Sequence, residues 1–245
     1  MNSSAPAISV IIPALNEEEG IARHLEQFTR LRGCCPTEVI VVDGDARGGT
    51  LRALEDSGVA SRLQGHVKLN TLCCPPGRAV QMNAGAARAS GNILLFLHAD
   101  AELPPDALSG ICAALTTPGI ETGAFNLAFR DSGAYLDFIA WGANRRTRLT
   151  RIPYGDQAIF LTKELFETVG GYKEIPLMED LDLMRRLNRR GNRPLLLDQR
   201  VQVSGRRYRR EGMLYGFLRN NVLASLFYLG VSPERLARFY GYRAK

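Results

Sequence analysis

The sequence predicts an α/β fold, with a mostly parallel central sheet flanked by helices. Short apolar runs recur at Ile8–Ile12, Val39–Val42 and Ile93–Leu97. Each suits a strand and is too short for a helix. Segments with helical spacing separate the runs, and such alternation builds a parallel sheet with right-handed crossovers. The runs are continuous rather than alternating, which marks strands buried on both faces. Ligands of such sheets bind beyond the carboxyl ends of the strands.

The first run ends at Pro13, and Asn16-Glu17-Glu18-Glu19 follows. Asn16 is a good N-cap, and acids in a first turn suit the helix dipole. Ile21, Leu25 and Phe28 then recur at helical spacing. The second run ends on Asp43, and Gly44–Thr50 is a turn into another helix. Val67–Leu72 reads as a weaker strand. Pro75-Pro76-Gly77 breaks the chain, Arg78 to Ala89 reads as a helix, and Gly91 stops it.

The third run leads into His98-Ala99-Asp100. Strand alternation puts His98 and Asp100 on one side, where they are placed to hold a divalent cation or a ribose. Together, Asn16, Glu17, Asp43 and Asp100 fall along one sheet edge. No G-x-G-x-x-G follows the first strand and no G-x-x-x-x-G-K-[ST] occurs, which disfavours dinucleotide dehydrogenases and P-loop NTPases.

In the second half, Pro104–Leu115 reads as a helix, Thr122–Phe129 as a strand and Ala134–Thr150 as a helix with a basic end. Tyr154–Phe160 places Asp156 and Gln157 at the start of a strand. Pro176–Leu183 opens a helix with Glu179, Asp180 and Asp182, either as a first turn stabilised by the macrodipole or as a general-base site. Gly212–Gly230 is apolar but interrupted by Arg219-Asn220-Asn221. A spanning helix would bury that arginine at a cost of about 2.5–3.5 kcal/mol, so a docked amphipathic helix is expected.

The 245 residues suffice for one large domain or two fused halves, divided here at 1–105 and 106–245. The first half carries 9 Lys+Arg against 11 Asp+Glu, and the second 22 against 14. The basic half favours an anionic partner, but no nucleic-acid module is recognisable. The five cysteines, Cys34, Cys35, Cys73, Cys74 and Cys112, match neither zinc spacing nor a disulfide framework and are expected as reduced thiols. The short polar start and the lack of a long apolar run give the expectation of a cytoplasmic protein. Arg206, Arg207, Arg209 and Arg210 are candidates for phosphate groups or for lipid headgroups at the inner membrane face.

Four blocks in order, Ile8–Gly20, Val41–Thr50, Gly77–Gly85 and Leu95–Ala101, resemble the family 2 glycosyltransferases of the GT-A fold. The later Gly155-Asp156-Gln157, Met178-Glu179-Asp180 and Val203–Tyr208 are similar to a bacterial subgroup, the radical-SAM/selenodomain-associated transferases. The resemblance implies a single Rossmann-like domain with added C-terminal helices. It also implies inverting transfer from a UDP- or GDP-linked sugar to an unknown hydroxyl acceptor, a lipid-linked one included. Pro13, Asn16, Glu17 and Asp43 then meet the nucleoside, and Arg78 the base or phosphates. Asn83, Asp156, Gln157, Arg206 and Arg207 join the substrate-binding set. Asp100 becomes the acid of a D-x-D signature whose first acid is here His98, an imidazole that suits Mn2+ better than Mg2+. Asp180, with Glu179 beside it, stands at the position of the base. The rival readings are a nucleotidyltransferase, disfavoured by the acidic Asn16-Glu17 loop, and a catalytically weakened nucleotide-sugar-binding protein.

Overall fold

The computed structural model describes residues 7–33, 37–131 and 133–240. The side chains of Arg207, Arg210, Glu211, Met213 and Leu214 lie outside the description, as do Cys34 and Cys35. The first half contains β1 (Ile8–Ala14), α1 (Ile21–Leu25), β2 (Thr37–Asp43), α2 (Gly49–Ser57), α3 (Val59–Leu63), β3 (Lys68–Cys73), α4 (Arg78–Arg88), β4 (Ile93–Phe96) and β5 (Ala101–Glu102). Then follow α5 (Ala107–Leu115), β6 (Thr122–Phe129), α6 (Ala134–Thr150), β7 (Phe160–Thr162), α7 (Lys163–Thr168) and α8 (Glu179–Arg189). The chain ends with β8 (Leu195–Val203), α9 (Arg206–Glu211), α10 (Met213–Tyr228) and α11 (Pro233–Tyr240).

Both halves feed one eight-stranded sheet, ordered β3-β2-β1-β4-β7-β6-β8-β5. The β3-β2-β1-β4 part is parallel, and β7 and β5 run against their neighbours. Val10, Ile11, Ile12, Val39, Val41, Val42, Leu94 and Leu95 are fully buried, as continuous apolar runs require. Helix α4 approaches the sheet through Gly85, where a Cβ would lie 2.5 Å from Ile11 Cγ2 and 3.1 Å from Val42 Cγ2.

Strand β6 pairs with β7 only at Thr122 and Gly123 and then diverges. Side chains replace the missing ladder bonds. Gln157 Nε2 donates to Phe125 O at 3.2 Å, and the Asn144 amide bonds both N–H and C=O of Leu127 at 2.7 and 2.9 Å. Gln157 is completely buried and held by Thr147 Oγ1 at 2.8 Å. The sheet thus opens on its ligand-facing edge without orphaning its backbone.

Buried Glu38 ties the sheet together. It accepts from Ser9 Oγ at 2.6 Å, from Ser90 N and Oγ at 2.7 Å each, and from Asn70 Nδ2 at 2.8 Å. Burial alone would raise its pKa, but the bonds from Ser9 and Ser90 outweigh it and hold the pKa below the ordinary 4.5. A depressed carboxyl pKa contributes stability above its unfolded value, and loses it as pH falls through the folded one. Glu38→Gln is therefore expected to cost about 1–3 kcal/mol at pH 7 and much less in acid. Urea unfolding at both pH values measures the difference.

Three expectations are corrected. Asn16 caps no helix: it adopts φ 56° in a loop, and Gly20 is the N-cap of α1. The Glu17 carbonyl accepts the Gly20 and Ile21 N–H groups at 3.1 and 2.9 Å. Second, β4 stops at Phe96, so strand alternation does not align His98 with Asp100. Third, Asp156 and Gln157 sit in a 3-10 turn ahead of β7, not in the strand.

Candidate active site

The ligand-facing edge carries a cleft of ≈ 700 Å3, lined among others by Asn16, Glu17, Glu18, Asp100, Glu102, Arg23, Arg130 and Arg206. Acids and arginines alternate in it, a lining that suits a cation and phosphates together. Asp100 is exposed. Its backbone carbonyl accepts from Arg130 Nη2 at 2.7 Å, while Arg130 Nη1 holds Glu102 at 2.6 Å. Glu17 has a raised pKa, from burial and from the charge of Asp100, with Arg206 pulling it back. Glu17, Asp100 and Arg206 therefore share one field. Nothing in the sequence singled out Arg130; it became visible only when β6 returned beside the β4 turn.

Beside the cleft, the turn Gly155–Gln157 meets the start of α8. Gly155 N–H donates to Asp180 Oδ2 at 2.7 Å, and Leu181 N–H to Asp180 Oδ1 at 2.8 Å. Each carboxylate oxygen keeps acceptor capacity beyond these bonds. His98 packs on the same glycine, where a Cβ would lie 2.8 Å from its Nε2 and 3.4 Å from Asp180 Oδ2. Burial, and then Arg78, push the His98 pKa down to about 3, so its imidazole is neutral. Asp156 is pushed up to about 6, first by burial and then, against a lowering contribution from Arg146, by Asp180 and Asp100.

Buried Glu179 does different work from its neighbour. Its Oε1 accepts from Arg78 Nη1 at 3.1 Å. Burial raises its pKa, Arg78 opposes that, and Asp180 adds to it. Asp182 pairs with Arg186 at 2.7 Å on the following turn, which matches an ordinary charged helix start. Arg146, part of a basic helix end in the sequence, stacks over Tyr154 with 3.4 Å to the ring centroid.

Non-glycine backbone strain concentrates here. Among the described residues, positive φ occurs at Asn16, Arg151, Ala158 and Met178. Asn16, Ala158 and Met178 directly flank the residues just described, and such conformations cost about 1–3 kcal/mol each. Met178, at φ 70°, sets the direction in which Glu179 and Asp180 leave the loop.

The remaining predicted residues are engaged in the framework. Asp43 is fully buried, and its oxygens accept Asp45 N–H at 2.9 Å and Thr50 N–H at 3.1 Å. Asp45, two residues on, is the more exposed acid of that turn. Asn83 clasps the backbone of Tyr172 at 2.8 and 2.9 Å. Pro13 is half-buried in β1 beside Val42. Arg207 belongs to α9, but its side chain lies outside the described residues.

The C-terminal helices support this edge. Leu223, Ala224 and Phe227 of α10 cluster with Leu181 and Leu236, behind Asp180. Arg219, which interrupts the apolar stretch, lies over Tyr240 at 4.4 Å and Tyr215 at 5.4 Å. No helix among the described residues is long and apolar enough to cross a membrane. Cys73 and Cys74 are free thiols.

The raised Asp156 pKa has a consequence for stability. Between pH 3.8 and about 6 the folded state holds the proton that the unfolded chain releases, so stability falls as pH rises through that window. Asp156→Asn is expected to raise the melting temperature at pH 7.5 and to change little at pH 4. Thermal melts at both pH values check it, and an unchanged melting temperature at pH 7.5 refutes the assignment.

Comparison with known proteins follows the same lines. Residues 9–171 match the model of glycosyl transferase family 2. The chain is 29% identical over 172 residues to a PGL/p-HBAD biosynthesis glycosyltransferase of Mycobacterium bovis, an alignment covering 69% of this chain and 64% of the relative. An uncharacterized glycosyltransferase of Synechocystis is 31% identical over 103 residues, covering 40% of this chain and 31% of that protein. The chain thus spans less than two thirds of these relatives. A mannosyltransferase of Pyrobaculum calidifontis, solved with GDP-Man and Mn2+, superposes with TM-score 0.62 at 20% identity, over 95% of this chain and 67% of the other. TarS 1–349 of S. aureus, solved with UDP-GlcNAc, gives TM-score 0.60 at 18% identity, over 81% of this chain and 58% of the other.

Proposed function

The chain is a member of glycosyl transferase family 2, and from that premise we propose that it moves a glycosyl group from a UDP- or GDP-linked sugar to a hydroxyl acceptor with inversion. The observation that carries this reading is the placement of Asp180. Its carboxylate is oriented by two backbone N–H groups and faces His98 across Gly155, two residues from Asp100 of the cleft that holds both acids and arginines. The solved fold relatives with GDP-Man and UDP-GlcNAc support a nucleotide-sugar donor.

In this reading Asp180 accepts the proton of the acceptor hydroxyl as its oxygen attacks the anomeric carbon. The new C–O bond forms as the bond to the diphosphate breaks, and the nucleoside diphosphate leaves with the electron pair. Arg206 and Arg130 line the cleft for the phosphates. Glu179 does not serve as base; it is buried against Arg78 and positions that guanidinium.

The donor set fits a divalent cation shared with the substrate. No closed group of three or more His, Cys, Asp or Glu ligands exists among the described residues. Cation sites on phosphates need only one or two protein carboxylates; exposed Asp100 would supply one, and neutral His98, two residues before it, is a nitrogen donor of the kind that suits Mn2+. When bound, the cation stabilises charge on the leaving diphosphate. A cation on Asp100 would also offset the charge that Asp100 places near Asp156. The test is to incubate the protein with UDP- and GDP-sugars plus Mn2+. Slow release of the nucleoside diphosphate from at least one donor is expected, and its absence across the donor panel contradicts the reading.

A further inference from the structure

We infer that a second groove, between α6 and β8, binds a saccharide chain. The groove measures ≈ 610 Å3 and shares no lining residue with the acidic cleft. Trp141 stands at its edge, 59% exposed, with Phe138 beside it at 58%. Their rings stack at 5.8 Å between centroids and 26° between planes. Two large aromatic rings left in water form an exposed apolar patch, which suits an interaction surface.

The polar lining is of mixed sign. Arg148 holds Asp198 at 3.4 Å. Arg145, Arg200 and Asp137 also line the groove. Asn126 lies at the floor and is only 4% exposed. Its Nδ2 donates to Leu197 O at 2.8 Å and faces Asp198 O at 3.4 Å. Those two carbonyls settle the orientation of the amide, because a flipped side chain would set oxygen against oxygen. The Asn126 Oδ1 is therefore a buried acceptor without a donor among the described residues. The β6–β8 register shift falls between Phe125 and Asn126, and irregularities of this kind re-aim side chains at functional sites.

A ligand for this groove must offer hydroxyl donors to the aspartates, acceptors to the arginines, and an apolar face to the rings. A phosphate-rich polymer supplies no donor and meets Asp137 and Asp198 with like charge. A pyranose supplies all three: its C–H face lies on an aromatic ring, and its hydroxyls donate and accept. Two adjacent rings suit consecutive sugar units better than a single one. This goes beyond the transfer reaction, and its test needs no turnover.

Trp141 is the only tryptophan in the chain, so its emission reports on the groove alone. The full chain is titrated with mannan-, glucan- and chitin-derived hexasaccharides. At least one is expected to give a saturable emission change with half-saturation at about 1 mM or tighter. By calorimetry the same sugar should bind at least about ten-fold more weakly to Trp141→Ala and to the surface variant Arg200→Ala. Turnover of a nucleotide sugar should be unchanged in Trp141→Ala. The proposal is overturned if none of the three sugars gives saturation, or if both variants bind as tightly as the parent. It is also overturned if Trp141 responds to phosphatidylglycerol vesicles and to no saccharide, which would make the surface a membrane contact. If the transfer reading fails, the fluorescence titration still decides this one.

Discussion

Asp180→Asn is expected to lower the rate of glycosyl transfer about 10²–10⁴-fold, the usual contribution of a general base. The substitution keeps the shape of the side chain. The Gly155 and Leu181 N–H groups donate to separate carboxylate oxygens; in the variant one keeps the amide oxygen as acceptor and the other loses a single bond at this half-exposed edge. The fold and donor affinity should therefore survive while kcat collapses. Loss confined to kcat marks an interaction made only in the transition state. Glu179→Gln is the control from the same helix turn. Its carboxylate is buried and faces Arg78, so it should affect stability before chemistry. If Asp180→Asn turns over like the parent, the base lies elsewhere, and Asp156 is the next residue to test.

Arg78→Ala is expected to destabilise the protein by about 2–3 kcal/mol. Removing one partner of a buried ion pair costs about 3–5 kcal/mol, because the other charge is left unpaired. The discount reflects geometry: the Arg78 side chain is 45% exposed, whereas that of Glu179 is 3% exposed. For a chain of this size the loss corresponds to a fall of roughly 4–12 °C in melting temperature. The double variant Arg78→Ala/Glu179→Leu should recover part of that loss, since no buried charge remains. A melting temperature unchanged by Arg78→Ala would show that the guanidinium serves only the donor phosphates, as the family resemblance implies.

The parallel half of the fold was legible because its strands are uninterrupted apolar runs. Ile8–Ala14, Thr37–Asp43 and Ile93–Phe96 needed no tertiary information. Strand β8 was not. Its Leu195–Val203 mixes leucines with Asp198, Gln199 and Arg200, and its core-facing period breaks at the register shift opposite Asn126. Asp100 stood out because it follows an apolar run, and Asp180 because Met178-Glu179-Asp180 resembles a family motif. The partners that orient Asp180 are backbone N–H groups, which leave no mark on residue identity. Asp43, Asn83 and Gln157 illustrate the converse. Polar residues near a ligand edge look like binding groups in a sequence, and the sequence does not show that these three also bond to Thr50, Tyr172 and Phe125 of the framework. Asn16 suits a helix cap by residue type and instead takes a left-handed loop conformation, because the chain must first turn over the cleft.

At the centre of this reading Asp100 holds a cation shared with a diphosphate, on the edge where Asp180 meets the acceptor. Calorimetric titration of GDP and UDP into the protein, with Mn2+ and then with chelator, tests it most directly when repeated on Asp100→Ala. The account predicts that at least one nucleotide binds only with Mn2+, and at least about ten-fold more weakly to Asp100→Ala. Equal affinity in chelator, or in the variant, would contradict it.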